Sequence, residues 1–580
     1  MKLSKIRSFL FSDPYSPLFR ESVVKSKKRR AEDIAALFVC AVISVIFLGI
    51  CTRSSPLYPL NDWVDSNCYF TVGKAMMNGR VVYRDIYEQK GIFLYFIHGL
   101  GYLISNTTFI GVYFFEVAAH TAFLYFVYKS ARLYVNYLLS LIILPILSHS
   151  ILTAVSLRQG DSAEEFCLPF VMYAIYALLK SLRSGERSGI PDNRTVFFMG
   201  ICAAAVMWIK FTLLGVFIGY IIYALILCII DRDMKKLLRA AISFASGAIL
   251  ASIPVVMYFG FNGALSDLFE VYFHNNMFLY TDERTFTDKL AGVFSLSVKG
   301  LSYNGLWGKL AYLGFFAMVI DIREPRAPLG TLLMFLSHIF FIYYGGIGWY
   351  YYSLGMAALS VPGFIAAARI LVFAIDKLSD LYITLEAAVC GKPKKKKPEL
   401  TAQTETAEET AKEMAKSEET AKPKSSVFDS SVMAAVSYVL IAAVITSVTV
   451  LYTDKCYRDS DNVFYMSYTE DEVWQKRFAK IINESEDKTL LNYSCLDLGV
   501  YTAANIVPSE KYFARLNIDL PEMKESLDSA ISEQRTEFVV IRSTPSKFVL
   551  QYYDIIAAAK SHLEFEGSSA SYYLLKRKPV

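Results

Sequence analysis

The stretch Gly91-Ile92-Phe93-Leu94-Tyr95-Phe96-Ile97-His98-Gly99-Leu100-Gly101-Tyr102-Leu103-Ile104-Ser105 decides how the chain is threaded. It is apolar enough to enter a bilayer, but it is shorter than the about 20 residues a span takes. Its length suits a helix lying along the membrane surface or re-entering it. The rest of the sequence makes a membrane unavoidable. Of 580 residues, 54% are hydrophobic, 15% aromatic and only 19% charged, with a mean hydropathy of +0.35. Soluble domains carry about 25% charged residues. Soluble, collagen-like, fully disordered and disulfide-scaffold classes are thereby excluded. The nine cysteines include Cys40, Cys51, Cys202 and Cys228 inside apolar runs, where they act as small hydrophobes.

Working outward, span-length apolar runs fall at 34–51, 108–128, 135–153, 166–181, 195–211, 213–230, 238–259, 305–321, 328–345, 350–375 and 432–452. The continuous run 195–230 would make a helix of about 54 Å, far longer than a bilayer core of about 30 Å, so it must break near Lys210. Charge then tests whether 91–105 crosses. The first 30 residues hold nine Lys and Arg, ending in the run Lys25 to Arg30, and so belong inside. If 91–105 stays on the surface, the loops with Lys129/Arg132, Arg183/Arg187/Arg194, Arg232/Lys235/Lys236, Arg323/Arg326 and Lys394–Lys397 all fall inside too. If it crosses, all of them fall outside. The positive-inside rule selects the surface helix, about eleven transmembrane helices with an uncleaved first span, and a C-terminus outside.

Five segments follow. Residues 1–33 form a basic cytoplasmic N-terminus, and 34–375 form the transmembrane body, including the first outer loop and juxtamembrane helix 52–105. Residues 376–431, with their Lys-Pro-rich and Thr/Ala/Glu/Lys composition, cannot bury a core and form a disordered cytoplasmic linker. Residues 432–452 are the last span. Residues 453–580 return to soluble composition, with strands at Lys488–Tyr493, Glu537–Arg542 and Ser571–Lys576 and helices at 470–483 and 521–533, a small extracytoplasmic α/β domain.

Polar residues gather on the outer side. The first loop reads Asn61-Asp62-Trp63-Val64-Asp65-Ser66-Asn67-Cys68-Tyr69, then Gly79-Arg80-Val81-Val82-Tyr83-Arg84-Asp85-Ile86-Tyr87-Glu88-Gln89-Lys90-Gly91. Carboxylates, cations and tyrosines beside a membrane-hugging helix offer a base outside the bilayer and positive charge at headgroup depth. Lys210, where the long run turns, must snorkel or meet an anion. Arg158, Asp161, Glu164 and Glu165 share an outer turn, where they either order a sugar or a cation or simply complement a helix N-terminus. His274 lies in the outer loop 260–303, and Tyr351 at the outer mouth of the tenth span. Phosphate-loop, zinc-finger, serine-hydrolase and nucleic-acid-binding patterns are absent from the sequence.

An Asp soon after the first span, an aromatic four residues later, Gly-x-x-x-Tyr-Arg-Asp, and a Lys opening an apolar juxtamembrane helix together resemble the bacterial GT-C glycosyltransferases. The likeness is to family 39 and its relatives, the protein O-mannosyltransferase and aminoarabinose-transferase group. It implies a GT-C-like polytopic fold that moves a sugar from a polyprenyl-phosphate carrier to an acceptor on the outer face of the bacterial cytoplasmic membrane. Asp65 matches the family's base, with Asp62 and Asp85 as alternative or supporting acids. Lys90 and Lys210 match its carrier-phosphate ligands, and Arg84 is a further candidate. Arg158, Glu164, Glu165, Tyr69, His274 and Tyr351 are candidates for sugar or acceptor contacts. Two departures stand out. The Lys-Pro-Pro of many relatives is Lys90-Gly91-Ile92 here, preceded by Gln89 in place of an acid, and Cys68 stands where the aminoarabinose enzymes have arginine.

The expected partners are a polyprenyl-phosphate-linked sugar donor, membrane lipid, and a glycan, lipid or protein acceptor, with no nucleic acid. No cofactor is certain, and a divalent metal ion at Asp161, Glu164 and Glu165 is the one candidate. The competing reading is a lipid or glycan transporter or flippase, which calls for internal repeats and paired broken helices. A third is a non-catalytic scaffold whose first loop can be scrambled.

Overall fold

The computed structural model describes residues 26–183, 190–280, 285–320, 326–389, 427–563 and 568–579. Residues Met1–Ala368 and Leu451–Val580 make one compact unit, and Arg369–Val450 a second that holds only helical segments among its described residues. Helix α1 (Ser26–Cys51) is followed by α2 (Val64–Met77), α3 (Ile92–Ile104), α4 (Ile110–Ala131), α5 (Tyr137–Leu152), α6 (Ala163–Arg183), α7 (Asn193–Lys210), α8 (Gly215–Ile230) and α9 (Met234–Phe261). After a π-helical segment Leu268–Leu279 come α10 (Phe286–Tyr303), α11 (Gly305–Val319), α12 (Arg326–Tyr343), a buried 3-10 run Tyr350–Ser360, α13 (Val361–Val389) and α14 (Val427–Asp459).

Among the described residues, eight helices are long and apolar enough to cross a membrane, and four shorter apolar helices accompany them. The shorter set includes α3, at the length the sequence gives for a surface helix. The chain is a multi-pass membrane protein. The break at Lys210 is present: α7 stops there, a single 3-10 turn Phe211–Leu213 follows, and α8 begins at Gly215. Helix packing uses small residues, because bilayer lipid gives apolar surfaces little reason to associate unless backbones come close. A Cβ on Gly200 would lie 2.0 Å from Phe244 O, and one on Gly247 2.0 Å from Phe197 O, so α7 and α9 touch backbone to backbone.

Several segments differ from the sequence reading, among them the first loop, which holds α2. The loop 260–303 contains helices, because Phe286–Tyr303 is long enough to place Val293, Ser297, Gly300 and Leu301 on one buried stripe. The linker 376–431 is helical at both ends, to Val389 and from Val427, while 390–426 lie outside the described residues.

The C-terminal domain is a four-stranded sheet of order β1 (Leu490–Asn492), β2 (Phe538–Arg542), β4 (Ser568–Arg577), β3 (Tyr553–Leu563), with β1 and β2 parallel and the other pairs antiparallel. Helix α15 (Trp474–Asn483) buries Trp474, Phe478 and Ile482 at i, i+4, i+8, with Trp474 stacked on Tyr572 at 4.2 Å. Helix α16 (Val500–Ala503) is a single turn after Gly499. Helix α17 (Pro521–Ser532) carries proline at its first position, where the missing N–H costs no bond. Sequence reading found β1, β2 and β4 but not β3. That strand's Tyr-Asp-Ile-Ile-Ala-Ala-Ala-Lys run favours helix, and its long pairing with β4, shifted between Ile555 and Ala557, overrides the propensity.

Candidate active site

The site lies at the end of the bundle where α1 and α7 stop and α6 starts. Asp65 occupies the first turn of α2, where the helix dipole favours a carboxylate. It is half-buried and accepts from Tyr351 Oη at 2.9 Å and from Tyr69 Oη at 3.5 Å. Trp63 meets Tyr351 edge to face at 5.1 Å. The i, i+4 spacing of Asp65 and Tyr69 puts both on one helix face. The structure therefore joins Tyr69 and Tyr351 to Asp65.

Asp62 is engaged elsewhere. Its Oδ1 is 2.6 Å from Nη1 of buried Arg53. That guanidinium also donates to Asn462 Oδ1 at 2.8 Å and lies 4.6 Å over the Tyr465 ring. Asp85 closes a tight turn: it accepts from Val81 N at 2.8 Å and from Arg84 Nε at 2.8 Å. Arg84 donates onward to Asn262 O at the end of α9, and neither residue lines the cavity described next.

Lys90 and Lys210 come together because the backbones beside them touch. Gly91 N donates to Ile209 O at 3.0 Å, and a Cβ on Gly91 would lie 2.0 Å from Trp208 O. Only glycine fits this contact, and a proline there would lack the N–H. Both lysines line a cavity of about 470 Å³. Its walls are apolar (Ile209, Phe211, Phe340, Phe341, Ile342), with Lys289, Asn276 and Tyr280 also on its surface. Lys210 Nζ is ion-paired with Glu164 and sits 3.8 Å from the Tyr352 ring centroid. Lys90 Nζ is 5.8 Å from the Tyr69 ring and 4.0 Å from Glu88 Oε1. Burial acts to lower the Lys90 ammonium, but Glu88, Asp65 and neighbouring acids outweigh it and hold it above the ordinary lysine value. Asp65 is not on the cavity wall. It stands one tyrosine behind, since Tyr69 and Tyr351 contact both Asp65 and a lysine ring-side.

The turn 153–162 resolves the remaining acids. Ser162 Oγ accepts from Glu165 N at 3.1 Å, and Glu165 reaches back to Asp161 N at 2.9 Å, a variant of the capping box that starts α6. Asp161 accepts from His98 Nε2 at 2.9 Å, while His98 Nδ1 faces Leu94 O at 2.7 Å. Burial pushes the Asp161 carboxyl up, and His98 opposes the shift. Glu164 is thus a partner of Lys210, and Glu165 is a cap. Arg158 lies over the Tyr350 ring at 5.6 Å. His274 is exposed, whereas its neighbours Asn275 and Asn276 donate to Tyr87 Oη and Gln89 O and staple the π-helical segment to the first loop.

Among the described residues no group of three or more His, Cys, Asp and Glu side chains stands close enough to hold a metal ion. Of the three carboxylates named for that role, Asp161 meets His98, Glu165 caps α6 and Glu164 pairs with Lys210. Sequence reasoning gave no role to Glu88 or Lys289. Glu88 was findable: it is the acid nearest Lys90, and its Oε2 accepts from Lys90 N at 2.8 Å and from Tyr95. It supplies, one residue earlier, the carboxylate that Gln89 lacks.

Fold and cavity together define a polytopic helical membrane protein with a C-terminal α/β domain and an apolar cavity that carries two lysines. No family model matches the chain, and no curated protein matches it in sequence. Among solved structures it is similar to ArnT from Cupriavidus metallidurans. The form bound to undecaprenyl phosphate matches with a TM-score of 0.52 at 12% identity, covering 95% of this chain and 98% of that one. The apo form matches with a TM-score of 0.51 at 12% identity, covering 94% and 98%. The likeness spans the bundle and the C-terminal domain alike.

Proposed function

We propose that this chain is a membrane glycosyltransferase that moves a sugar from a polyprenyl-phosphate carrier to an acceptor hydroxyl on the outer face of the membrane. The observation that carries the reading is the apolar cavity with Lys90 and Lys210 on its wall, one tyrosine away from a half-buried carboxylate. A polyprenyl phosphate needs both halves of that arrangement, a dry groove for the chain and cations for the headgroup. The similar ArnT structure binds undecaprenyl phosphate, in keeping with a carrier of this class. The loop charges support an outer position for this end of the bundle.

In this reading Asp65 takes the proton of the acceptor hydroxyl as its oxygen attacks the anomeric carbon. The bond from that carbon to the phosphate oxygen breaks, with inversion. The carrier leaves as an anion that needs no proton, and Lys90 and Lys210 stabilise its growing charge in a poorly hydrated site. Asp65 is favoured over Asp62 because Asp62 is held by Arg53. Tyr351 and Tyr69 orient the carboxylate by donating to it.

The test uses the full chain in lipid nanodiscs with an undecaprenyl-phosphate-linked sugar, following release of undecaprenyl phosphate in the presence of envelope acceptors. General-base catalysis contributes about 10²–10⁴ in rate, so Asp65→Asn should lose that much while still binding undecaprenyl phosphate. Turnover by Asp65→Asn at the wild-type rate would remove Asp65 as the base. Undecaprenyl phosphate binding with no sugar transfer in the wild type would favour the transporter reading.

A further inference from the structure

The C-terminal domain touches the helix that carries Asp65 along a single face. Asn67, Thr71 and Lys74 lie at i, i+4 and i+7 on α2, and all three are fully buried. Thr71 Oγ1 donates to Asp497 Oδ2 at 2.6 Å, and Lys74 Nζ donates to Tyr501 O at 2.7 Å. Asn67 Oδ1 accepts from Thr502 Oγ1 at 3.0 Å. Beyond α2, Arg80 donates to Ser509 O at 2.9 Å and Tyr87 N to Lys511 O at 3.0 Å. Residues 497–511 therefore grip the first loop along much of its length.

Asn67 is the hub of this contact. Its Nδ2 donates to Asn61 O and to Trp63 O, both at 2.9 Å, and so pins the backbone that enters α2 two residues ahead of Asp65. Trp63 in turn packs on Tyr351, which donates to Asp65. On the other side, Gly499 leaves room for the amide: a Cβ there would come within 3.1 Å of Asn67 Oδ1. The amide has three partners, two to one wall of the site and one to the C-terminal domain. Removing the Thr502 hydroxyl would leave a buried acceptor unsatisfied at this hub.

We infer that the C-terminal domain is a working part of the transfer site, and that Asn67 is a positioning residue through which Thr502 holds the Trp63–Tyr351–Asp65 assembly in place. The inference rests on the proposed role of Asp65. The Thr502–Asn67 contact lies on the base side of the site and touches neither Lys90 nor Lys210, so loosening it should affect turnover and leave the carrier phosphate bound.

The variant is Thr502→Val, which keeps the shape and removes the hydroxyl, with Thr502→Ser as the conservative control. In nanodiscs, Thr502→Val should lower kcat about tenfold, a loss on the scale of one buried hydrogen bond. Its KM for the lipid-linked sugar and its affinity for undecaprenyl phosphate should stay at wild-type values, and Thr502→Ser should restore kcat. Hydrogen exchange followed by mass spectrometry supplies a readout independent of activity. Amides of 61–67 should exchange faster in Thr502→Val than in wild type or Thr502→Ser, with 92–104 unchanged. A wild-type kcat in Thr502→Val, or a parallel loss of undecaprenyl phosphate affinity, would overturn the inference. If the wild type transfers no sugar, the proposed function fails and exchange alone decides the coupling: unchanged exchange across 61–67 in Thr502→Val refutes it.

Discussion

Replacing Lys210 by methionine separates two roles that the structure ties together. Lys210 Nζ is the ion-pair partner of Glu164, whose side chain is 1% exposed, and Glu164 Oε2 is buried with no hydrogen-bond partner among the described residues. Removing the ammonium strips this buried carboxylate of its ion-pair partner in a poorly hydrated interior. Breaking a buried pair on one side costs about 3–5 kcal/mol. Lys210→Met should therefore lower stability by that amount whether or not Lys210 binds phosphate. The double variant Lys210→Met/Glu164→Gln removes both charges and should regain most of the lost stability. Its affinity for undecaprenyl phosphate should nevertheless fall, because a charge-assisted contact to phosphate contributes about 1.5–3 kcal/mol, or roughly 10- to 150-fold in Kd. The assay is thermal unfolding and undecaprenyl phosphate titration of wild type, both single variants and the double variant in nanodiscs. Wild-type stability in Lys210→Met would refute the buried pair. Wild-type affinity in the double variant would refute Lys210 as a phosphate ligand.

Three further perturbations test other parts of the argument. Asp62→Asn should cost about 1.5–3 kcal/mol of stability, by depriving Arg53 of a charge-assisted bond, yet keep turnover; a fall in kcat matching that of Asp65→Asn would show the two acids misassigned. Gly91→Ala would drive a methyl into the Trp208 carbonyl and part Lys90 from Lys210, so both the melting temperature and undecaprenyl phosphate affinity should drop, and unchanged values would show that the close approach is not needed. Burial, opposed by Asp497, lowers the Lys74 ammonium from 10.5 to about 7. Between those values the unfolded chain holds a proton that the folded chain has shed, so stability should rise with pH from about 7 upward, by at most about 1.4 kcal/mol per pH unit. Thermal unfolding from pH 7 to 9 should show that rise in wild type and not in Lys74→Met, and identical slopes would remove Lys74 as its source.

Much of the fold was legible because lipid imposes rules that act locally. A span needs a fixed length of apolar chain, so α7 and α8 had to be separate helices, and the break at Lys210 followed from arithmetic on 195–230. Helix α3 is present at the short length the apolar run gives, and the reading of it as a surface helix came from charge, because a crossing there would invert every loop. Helix α10 and the π-helical segment were not legible. Their amphipathic and polar sequences read as loop, and the contacts that hold them, such as Asn276 to Gln89 O, link residues almost 190 positions apart. Strand β3 was hidden for a similar reason, its alanine run being overridden by a partner strand.

The candidate site was legible where charge marks it and obscure where packing does. Asp65, Lys90 and Lys210 are costly residues beside a membrane and announce themselves. What each acid does is not written in its identity: Asp62 and Asp65 are three positions apart, and only the placement of Arg53 on one and Tyr351 on the other tells them apart. The departure at Gly91 makes the same point in reverse. Set beside Lys-Pro-Pro, Lys90-Gly91-Ile92 looks like a loss of rigidity ahead of α3. In the structure the glycine lets that helix start directly against the end of α7, with its N–H on Ile209 O. The rigidity a proline would have supplied through its ring comes instead from a backbone contact between two helices, and the same contact brings the two lysines onto one cavity.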